Sequence, residues 1–226
     1  MHNKKYLYLF VIFPLLLTGC ENERETTIIL ARHAQTEANV AGYISGNKQD
    51  SPLTDLGKSQ AEVLGAALNT YSFDAFYAST LDRTLNTGRI VLSKIQNQKT
   101  LVAIRDSGLD ELDFGNATGM TIAEATSLYG GVEFPTNFGS IDDQNYKPIF
   151  TNENTYAWYK RFNTCLEEIA QKEQGKTVLV VTHGAAYFWG QLKFGANKVF
   201  GLNNAGYAEI KYKNNAFELI DWHVSI

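Results

Sequence analysis

Two of the four histidines in this 226-residue chain stand where a chemical site is expected. His33 and His183 lie where two short apolar runs end, at 27–31 and 177–182, and runs of this kind form strands buried on both faces of a sheet. The carboxyl ends of parallel strands line the ligand crevice of an open α/β sheet, so both imidazoles are expected at one mouth. Either histidine alone would be interpreted as structural, but their shared position favours a common site.

Two arginines supply the positive charge that such a site would need. Arg32 directly precedes His33, and Arg83 lies near the start of a predicted helix. A guanidinium group is a planar fork of donors that stays charged at any working pH, which suits the oxygens of a phosphate monoester. A neutral imidazole can attack phosphorus through one ring nitrogen while a backbone carbonyl holds the other as a donor. These residue types indicate phosphoryl transfer to a histidine, and the chemistry alone leaves open which of the two histidines attacks.

Five segments, in order along the chain, resemble the signatures of the histidine phosphatase superfamily in its phosphoglycerate mutase-like branch. They are 32–39 (RHAQTEAN), 45–57 (SGNKQDSPLTDLG), 79–84 (STLDRT), 109–115 (LDELDFG) and 181–184 (VTHG). The resemblance implies an α/β fold, a three-layer α/β/α sandwich with a mostly parallel central sheet. It assigns the nucleophile to His33, phosphate binding to Arg32 and Arg83, charge stabilisation to His183 and proton donation to Glu111.

Glu111 is the acid that could protonate the leaving oxygen and later activate a water molecule. Its neighbours Asp110 and Asp113 are close competitors for this role. The segment 116–119 lacks the acidic residue that many family members carry before its glycine, which leaves Glu111 as the best candidate. A second departure is Ala34, where the family has glycine; it is tolerable if its φ stays negative. The family's mutases carry a more elaborate basic segment near this glutamate, and its absence points toward hydrolysis.

Further phosphate contacts are predicted from two loops. Asn39, Ser45 and Gly46 follow the first strand, and the backbone N–H groups of Gly184 and Ala185 open the helix after the second histidine. Such N–H groups and the helix dipole favour an anion. The sequence has no Walker-type glycine loop and no cluster at metal-ligand spacing, so no metal or other cofactor is predicted.

The remaining pattern alternates strands with helices, as in an α/β sandwich. Helical spacing of apolar residues predicts helices at 54–69 with Thr54 as N-cap, at 81–95 and at 155–174, and short apolar runs predict strands at 73–78 and 101–104. The segments 207–213 and 217–224 alternate and are expected to form an antiparallel hairpin through Asn214 and Asn215.

Periodicity fails in a long insertion, so a lid is predicted at 130–152. Its single basic residue is Lys147, which argues against densely charged polyphosphates and favours a small or partly apolar monoester. The apolar residues behind this preference are Phe134, Phe138, Tyr146, Ile149 and Phe150.

The N-terminus has the layout of a secretory signal, with two early lysines followed by an apolar run too short to span a membrane. The sequence LTGC at 17–20 resembles the lipobox of bacterial lipoproteins. We therefore expect residues 1–19 to be a signal peptide cleaved before Cys20, a lipid anchor on Cys20, a tether at 20–26 and one phosphatase domain at 27–226. Ordinary signal cleavage near Gly19 or a buried apolar strand are the alternatives.

An exported protein anchored at the bacterial cell envelope follows from that reading, with the membrane as a partner. Without the signal the chain has 18 basic and 24 acidic residues and a net charge of about −6, so a nucleic-acid partner is not expected. Cys165 is the only other cysteine, so no internal disulfide framework can be drawn.

The predicted function is hydrolysis of small phosphate monoesters through phosphohistidine at His33. Two alternatives remain open: a phosphomutase or phosphotransferase that uses the same intermediate, and a catalytically inactive module that binds phosphorylated ligands.

Overall fold

A six-stranded sheet forms the centre of the fold in this computed structural model, which describes residues 24–132, 137–199 and 201–226. The strands are β1 (Thr26–Arg32), β2 (Ala75–Ala78), β3 (Ala103–Arg105), β4 (Thr177–Thr182), β5 (Tyr207–Lys213) and β6 (Ala216–His223). Their order across the sheet is β3-β2-β4-β1-β5-β6. The first four strands run parallel, while β5 and β6 are antiparallel to their neighbours. The predicted mostly parallel α/β sheet is confirmed.

Helices cover both faces of the sheet. They are α1 (Glu37–Ala41), α2 (Asp55–Ala67), α3 (Asp82–Lys94), α4 (Ile122–Tyr129), α5 (Thr155–Lys172) and α6 (Ala186–Phe194), with short 3-10 turns at Ser107–Leu109 and Gly115–Ala117. Thr54 caps α2 as predicted, since its side chain accepts a hydrogen bond from Gly57 N at 2.9 Å. The predicted strand at 101–104 is shifted toward the C-terminus, and Val102 is 87% exposed.

Strand β1 shows why the fold has three layers. Ile28 and Leu30 pack into one hydrophobic core with α5 and α6, whereas Ile29 and Ala31 pack into a second core with α2 and α3. Successive side chains of a strand point to opposite faces, so a continuous apolar run fills both cores. Its register with β4 pairs Arg32 with Thr182, which brings the two histidines that follow these residues to the same edge.

The C-terminal hairpin forms as the sequence indicates. Asn214 and Asn215 join β5 to β6 with φ values of 52° and 58°. Asparagine tolerates this left-handed conformation, and two such residues give the turn that matches strand twist.

Residues 130–132 and 137–152 contain no helix or strand, in agreement with the irregular segment expected there. Two of its aromatic side chains, however, differ from the expectation that they shape the ligand pocket. Phe138 and Phe150 are at most 2% exposed and pack edge to face at 5.0 Å in the core, while Ile149 is 72% exposed. The lid itself stays a prediction.

Residues 1–23 and Phe134 lie outside the described part of the chain, and with them the predicted signal peptide, Cys20 and half of the tether. The last residue of the predicted tether, Thr26, already belongs to β1. Across the described ranges, no helix is both long and apolar enough to cross a membrane. Cys165 is buried and its thiol is free of any disulfide within the described residues.

Candidate active site

A cavity of about 250 Å³ opens where β1 ends, and most of the predicted site residues line it. Its lining consists of Arg32, His33, Thr36, Asn39, Tyr43, Ile44, Ser45, Gly46, Arg83, Glu111, Phe114, Ile122 and Val132. His183 lies directly beside it, with its ring centroid 5.3 Å from that of His33. The structure therefore brings together two imidazoles and two guanidinium groups from three separate parts of the chain.

His33 is held in the tautomer that nucleophilic attack requires. Its Nδ1 lies 2.8 Å from the carbonyl oxygen of Ala34. Burial lowers the pKa of His33 well below its usual value, and the nearby charges of Arg83 and Arg32 add to this effect. The ring is therefore neutral, and because a carbonyl can only accept, its one proton sits on Nδ1. The lone pair of Nε2 is left available for phosphorus.

The second imidazole is fixed by a serine. His183 Nε2 lies 2.8 Å from Ser79 Oγ, which is itself 2.9 Å from Thr84 Oγ1. Burial, then the charges of Arg83 and neighbouring groups, holds the pKa of His183 well below its usual value. Its Nδ1 is fully buried without a hydrogen-bond partner among the described residues. Ser79 is a positioning residue that the sequence showed only as part of a motif.

The two arginines are bound differently. Arg32 donates from its NH1 nitrogen to Leu202 O at 2.7 Å, while its buried Nε finds no partner in the described part of the chain. Arg83 donates to the carbonyls of Gln49 and Gly46 at 2.9 and 2.8 Å and forms a salt bridge with Asp50 at 3.1 Å. Arg83 thus holds the loop at 46–50 in place and also carries charge at the site.

Asp50 is a residue whose role the sequence did not reveal. Besides binding Arg83, its carboxylate accepts hydrogen bonds from the N–H groups of Asp82 and Arg83. The residue at the N-cap of α3, Leu81, has no side chain that can cap. Asp50 therefore caps α3 from a distant loop, and only the tertiary contact makes this visible.

Three backbone N–H groups hold the carboxylate of Glu111. Oε1 accepts from Leu112 N at 2.9 Å and from Ala185 N at 3.3 Å, and Oε2 accepts from Gly184 N at 3.1 Å. The sequence predicted that Gly184 and Ala185 bind substrate phosphate, but in the structure they instead bind this carboxylate at the positive end of α6. Oε2 keeps a free lone-pair site, so it is the atom that can carry the proton.

Arg161 of α5 fixes the segment that carries Glu111. Its guanidinium group donates to the carbonyls of Gly108 and Asp110 at 3.1 and 2.9 Å and pairs with Glu153 at 2.9 Å. Glu153 in turn accepts from Asp113 N at 2.8 Å. Neither Arg161 nor Glu153 was singled out from the sequence, because each acts through contacts between distant segments.

The two competitors of Glu111 are occupied elsewhere. Asp110 accepts hydrogen bonds from Thr80 N and Oγ1 at 2.7 and 2.8 Å, and Asp113 forms a salt bridge with Lys48 at 3.0 Å. Neither aspartate lines the cavity. The geometry therefore favours Glu111 among the three acids.

The loop after β1 places the predicted secondary contacts at the cavity. Asn39 Oδ1 accepts from Asn204 Nδ2 at 3.1 Å, and Asn204 also donates to the carbonyl of His33 at 3.1 Å. Gly46 has a φ of +57°, and a side chain there would meet Leu112 O at 3.0 Å. Ser45 lines the cavity as well. Asn204 has no signal in the sequence, since nothing around it resembles a site motif.

Ala34 meets the condition set by the sequence. Its φ is outside the positive region, its side chain is fully buried, and its N–H donates to Thr87 Oγ1 at 3.0 Å. The alanine therefore carries no backbone strain in place of the family's glycine.

The two neutral histidines predict that stability falls in mild acid. In the unfolded chain each takes up a proton near pH 6.5, whereas in the fold both pKa values lie well below that, so unfolding binds protons as the pH drops. Together they are expected to remove about 2 kcal/mol of unfolding free energy between pH 6.5 and 5.5. Urea titrations at both pH values measure this, and His33→Asn should halve the histidine share. An equal loss in wild type and variant would contradict the assignment.

Comparison with known proteins agrees with this geometry. A sequence profile of the histidine phosphatase superfamily (branch 1) matches residues 28–225. Phosphoserine phosphatase 1 of Hydrogenobacter thermophilus is 31% identical over 189 residues, which cover 81% of this chain and 85% of that protein. A 2,3-bisphosphoglycerate-dependent phosphoglycerate mutase of Rhizobium johnstonii is 38% identical over 106 residues, 46% of this chain and 49% of that protein.

The fold has solved counterparts as well. A crystal structure of phosphoglycerate mutase from Bacillus anthracis superimposes with a TM-score of 0.75 at 25% identity, covering 88% of this chain and 93% of that one. The profile match spans nearly all of the described residues. This chain belongs to the histidine phosphatase superfamily, branch 1.

Proposed function

We propose that this protein hydrolyses phosphate monoesters through a phosphohistidine on His33. The observation that carries the proposal is the buried neutral ring of His33 beside two buried nitrogens without partners among the described residues, Arg32 Nε and His183 Nδ1. Buried polar atoms are rarely left unpaired, and nitrogens around a nucleophile suit the oxygens of a phosphoryl group. The side chain of Arg83 completes the positive charge there.

In the first step, the lone pair of His33 Nε2 attacks phosphorus and the bond to the ester oxygen breaks. Glu111, protonated at Oε2, passes its proton to the leaving oxygen, so a neutral alcohol departs. Arg32 and Arg83 balance the charge of the phosphoryl oxygens, and His183 contacts them through Nδ1.

In the second step, Glu111 takes a proton from water while that water attacks phosphorus. The bond between phosphorus and Nε2 breaks, and inorganic phosphate leaves. His33 regains its lone pair and Glu111 its proton, so no cofactor is consumed. The Nδ1 proton stays on the ring throughout and is donated to the carbonyl oxygen of Ala34, which keeps the ring in one tautomer.

The mutase and the inactive binding module are the rivals of this proposal. A mutase would protect the same intermediate from water and return the phosphoryl group to an alcohol; the Rhizobium johnstonii relative is named as a phosphoglycerate mutase. A binding module would hold the phosphate without turnover. Both the candidate proton donor, Glu111, and the candidate nucleophile, His33, line the cavity, which supports turnover.

One experiment separates the three activities. The purified protein is incubated with an aryl phosphate in the presence and absence of a high concentration of glycerol, and both aryl alcohol and inorganic phosphate are measured. Hydrolysis releases equal amounts of the two products. Transfer to glycerol with little free phosphate would favour a phosphotransferase, and phosphate binding without either product would favour a binding module.

We also propose that the protein is an exported lipoprotein whose Cys20 is acylated and anchors it at the cell envelope. The support is the order of basic residues, apolar run and LTGC sequence at the N-terminus. In a bacterial host that processes lipoproteins, Cys20→Ser should shift the protein from the membrane fraction to the soluble fraction, with Cys165→Ser as the control. An unchanged membrane pool in the Cys20 variant would contradict acylation as the anchor.

A further inference from the structure

The cavity has a polar and an apolar part, and only the polar part is accounted for by phosphoryl transfer. The apolar lining is made of Tyr43, Ile44, Phe114, Ile122 and Val132. Val132 falls within the segment predicted as a lid and Phe114 within a segment compared with the family signatures, whereas Tyr43, Ile44 and Ile122 belong to neither. Their common property is a surface without charge.

We call these five residues the apolar wall, and part of it is held by backbone hydrogen bonds between the loop before Ser45 and the start of α4. Tyr43 forms an antiparallel bridge with Thr121, and Ile44 N donates to Met120 O at 2.8 Å. The pairing places Tyr43 next to Ile122, the first residue of α4. Tyr43 and Ile122 remain 46% and 60% exposed although they line the cavity. Apolar side chains held in an open pocket are suited to bind apolar ligand surface.

The described lining of the cavity offers no cation for a second anionic group. Its lysine and arginine side chains are Arg32 and Arg83 alone among the described residues, and the proposed function assigns both to the phosphoryl oxygens. The neighbouring Lys48 lies outside the lining and is paired with Asp113 at 3.0 Å. A carboxylate on the leaving group would therefore lose water against an apolar wall without gaining a partner, which is costly.

We infer that the alcohol part of the substrate is uncharged and partly apolar, and that Tyr43, Ile122 and Val132 bind it. This inference rests on the proposed phosphatase function and adds the chemical class of the leaving group. It assigns specificity to the wall beside α4, in contrast to Phe138 and Phe150 of the predicted lid, which are buried in the core. The apolar wall binds the alcohol while the arginines bind the phosphate.

The test compares two aryl phosphates of similar size, 4-methylphenyl phosphate and 4-carboxyphenyl phosphate. The carboxylate-bearing phenol is intrinsically the better leaving group, so chemistry alone would favour its ester. We expect kcat/KM to be at least about tenfold higher for the methyl compound, equivalent to about 1.4 kcal/mol of differential binding. Equal rates, or a preference for the carboxylate, would overturn the inference.

A charge placed on the wall should change this preference. Ile122→Arg and, independently, Tyr43→Lys are expected to lower the ratio of methyl to carboxyl kcat/KM severalfold, because each gives the carboxylate a partner. Leu128→Arg is the matched control: Leu128 lies on the same helix, is 64% exposed and does not line the cavity, so its ratio should stay that of wild type.

The outcomes keep this inference apart from the proposed function. If the wild type hydrolyses neither ester, the phosphatase proposal fails. If it hydrolyses both and neither wall variant changes the ratio, the inference that the apolar wall determines specificity is wrong, while the phosphatase proposal stands. Thermal melting of each variant confirms that the altered ratio belongs to folded protein.

Discussion

His33→Ala is expected to lower phosphate release by on the order of 10⁴-fold or more, because it removes the atom that accepts the phosphoryl group. The arginines and His183 would still bind phosphate, so the loss should appear in kcat far more than in KM. Acid-quenched wild-type protein should carry phosphate in an acid-labile bond during turnover, and the variant should carry none. Rates are measured as inorganic phosphate released from an aryl ester.

The matched control for this variant is another histidine. His223 stacks on Tyr207 at 4.3 Å and pairs with Asp221 at 2.9 Å, and it does not line the cavity. His223→Ala should keep the rate within about twofold, as is usual for substitutions remote from a site. An active His33→Ala, or a phosphoprotein that survives it, would move the nucleophile to another residue and reopen the role of His183.

Glu111→Gln is expected to have an effect that depends on the leaving group. For alkyl phosphates, whose alcohols need a proton to depart, kcat/KM should fall by about 10²- to 10⁴-fold. For 4-nitrophenyl phosphate, whose phenolate leaves unprotonated, the fall in the first step should be small. With its oxygen at the Oε1 position, glutamine can still accept the N–H groups of Leu112 and Ala185 but not that of Gly184, so the contacts around it are retained in part.

A purely structural acid at this position would give a different pattern, with a similar loss for every substrate. Asp110→Asn provides that comparison, since Asp110 holds Thr80 and does not line the cavity. Any loss there should be the same for alkyl and nitrophenyl esters. If Glu111→Gln behaves like Asp110→Asn, or leaves alkyl ester hydrolysis intact, then Glu111 is not the proton donor.

The local sequence was sufficient for the elements and for the meeting of the two histidines. Continuous apolar runs require strands buried on both faces, and β1 and β4 formed where they were expected. Since each histidine directly follows its strand, parallel pairing of β1 with β4 carries His33 and His183 to one edge. The hairpin turn at Asn214 and Asn215 is likewise a local choice, made by residues that tolerate positive φ.

The sequence failed where a side chain's surroundings come from distant segments. The aromatic residues 138 and 150 look like a lid for ligand but pack into the core, because burial depends on what lies opposite. Asp50 caps α3 across 32 positions of chain, and Arg161 holds carbonyls more than 50 positions away. Composition and spacing contain no information about such partners.

Residue types and their order by themselves determined that this protein has an α/β sheet, a histidine nucleophile candidate and arginines for an anion, since these follow from periodicity and from the chemistry of single side chains. Only the tertiary structure decided that Gly184 and Ala185 bind Glu111, that Nε2 of His33 is the free nitrogen, and that an uncharged wall stands beside the phosphate site. The physical reason is that hydrogen bonds, desolvation and cavity shape arise from packing between segments, which no local pattern specifies.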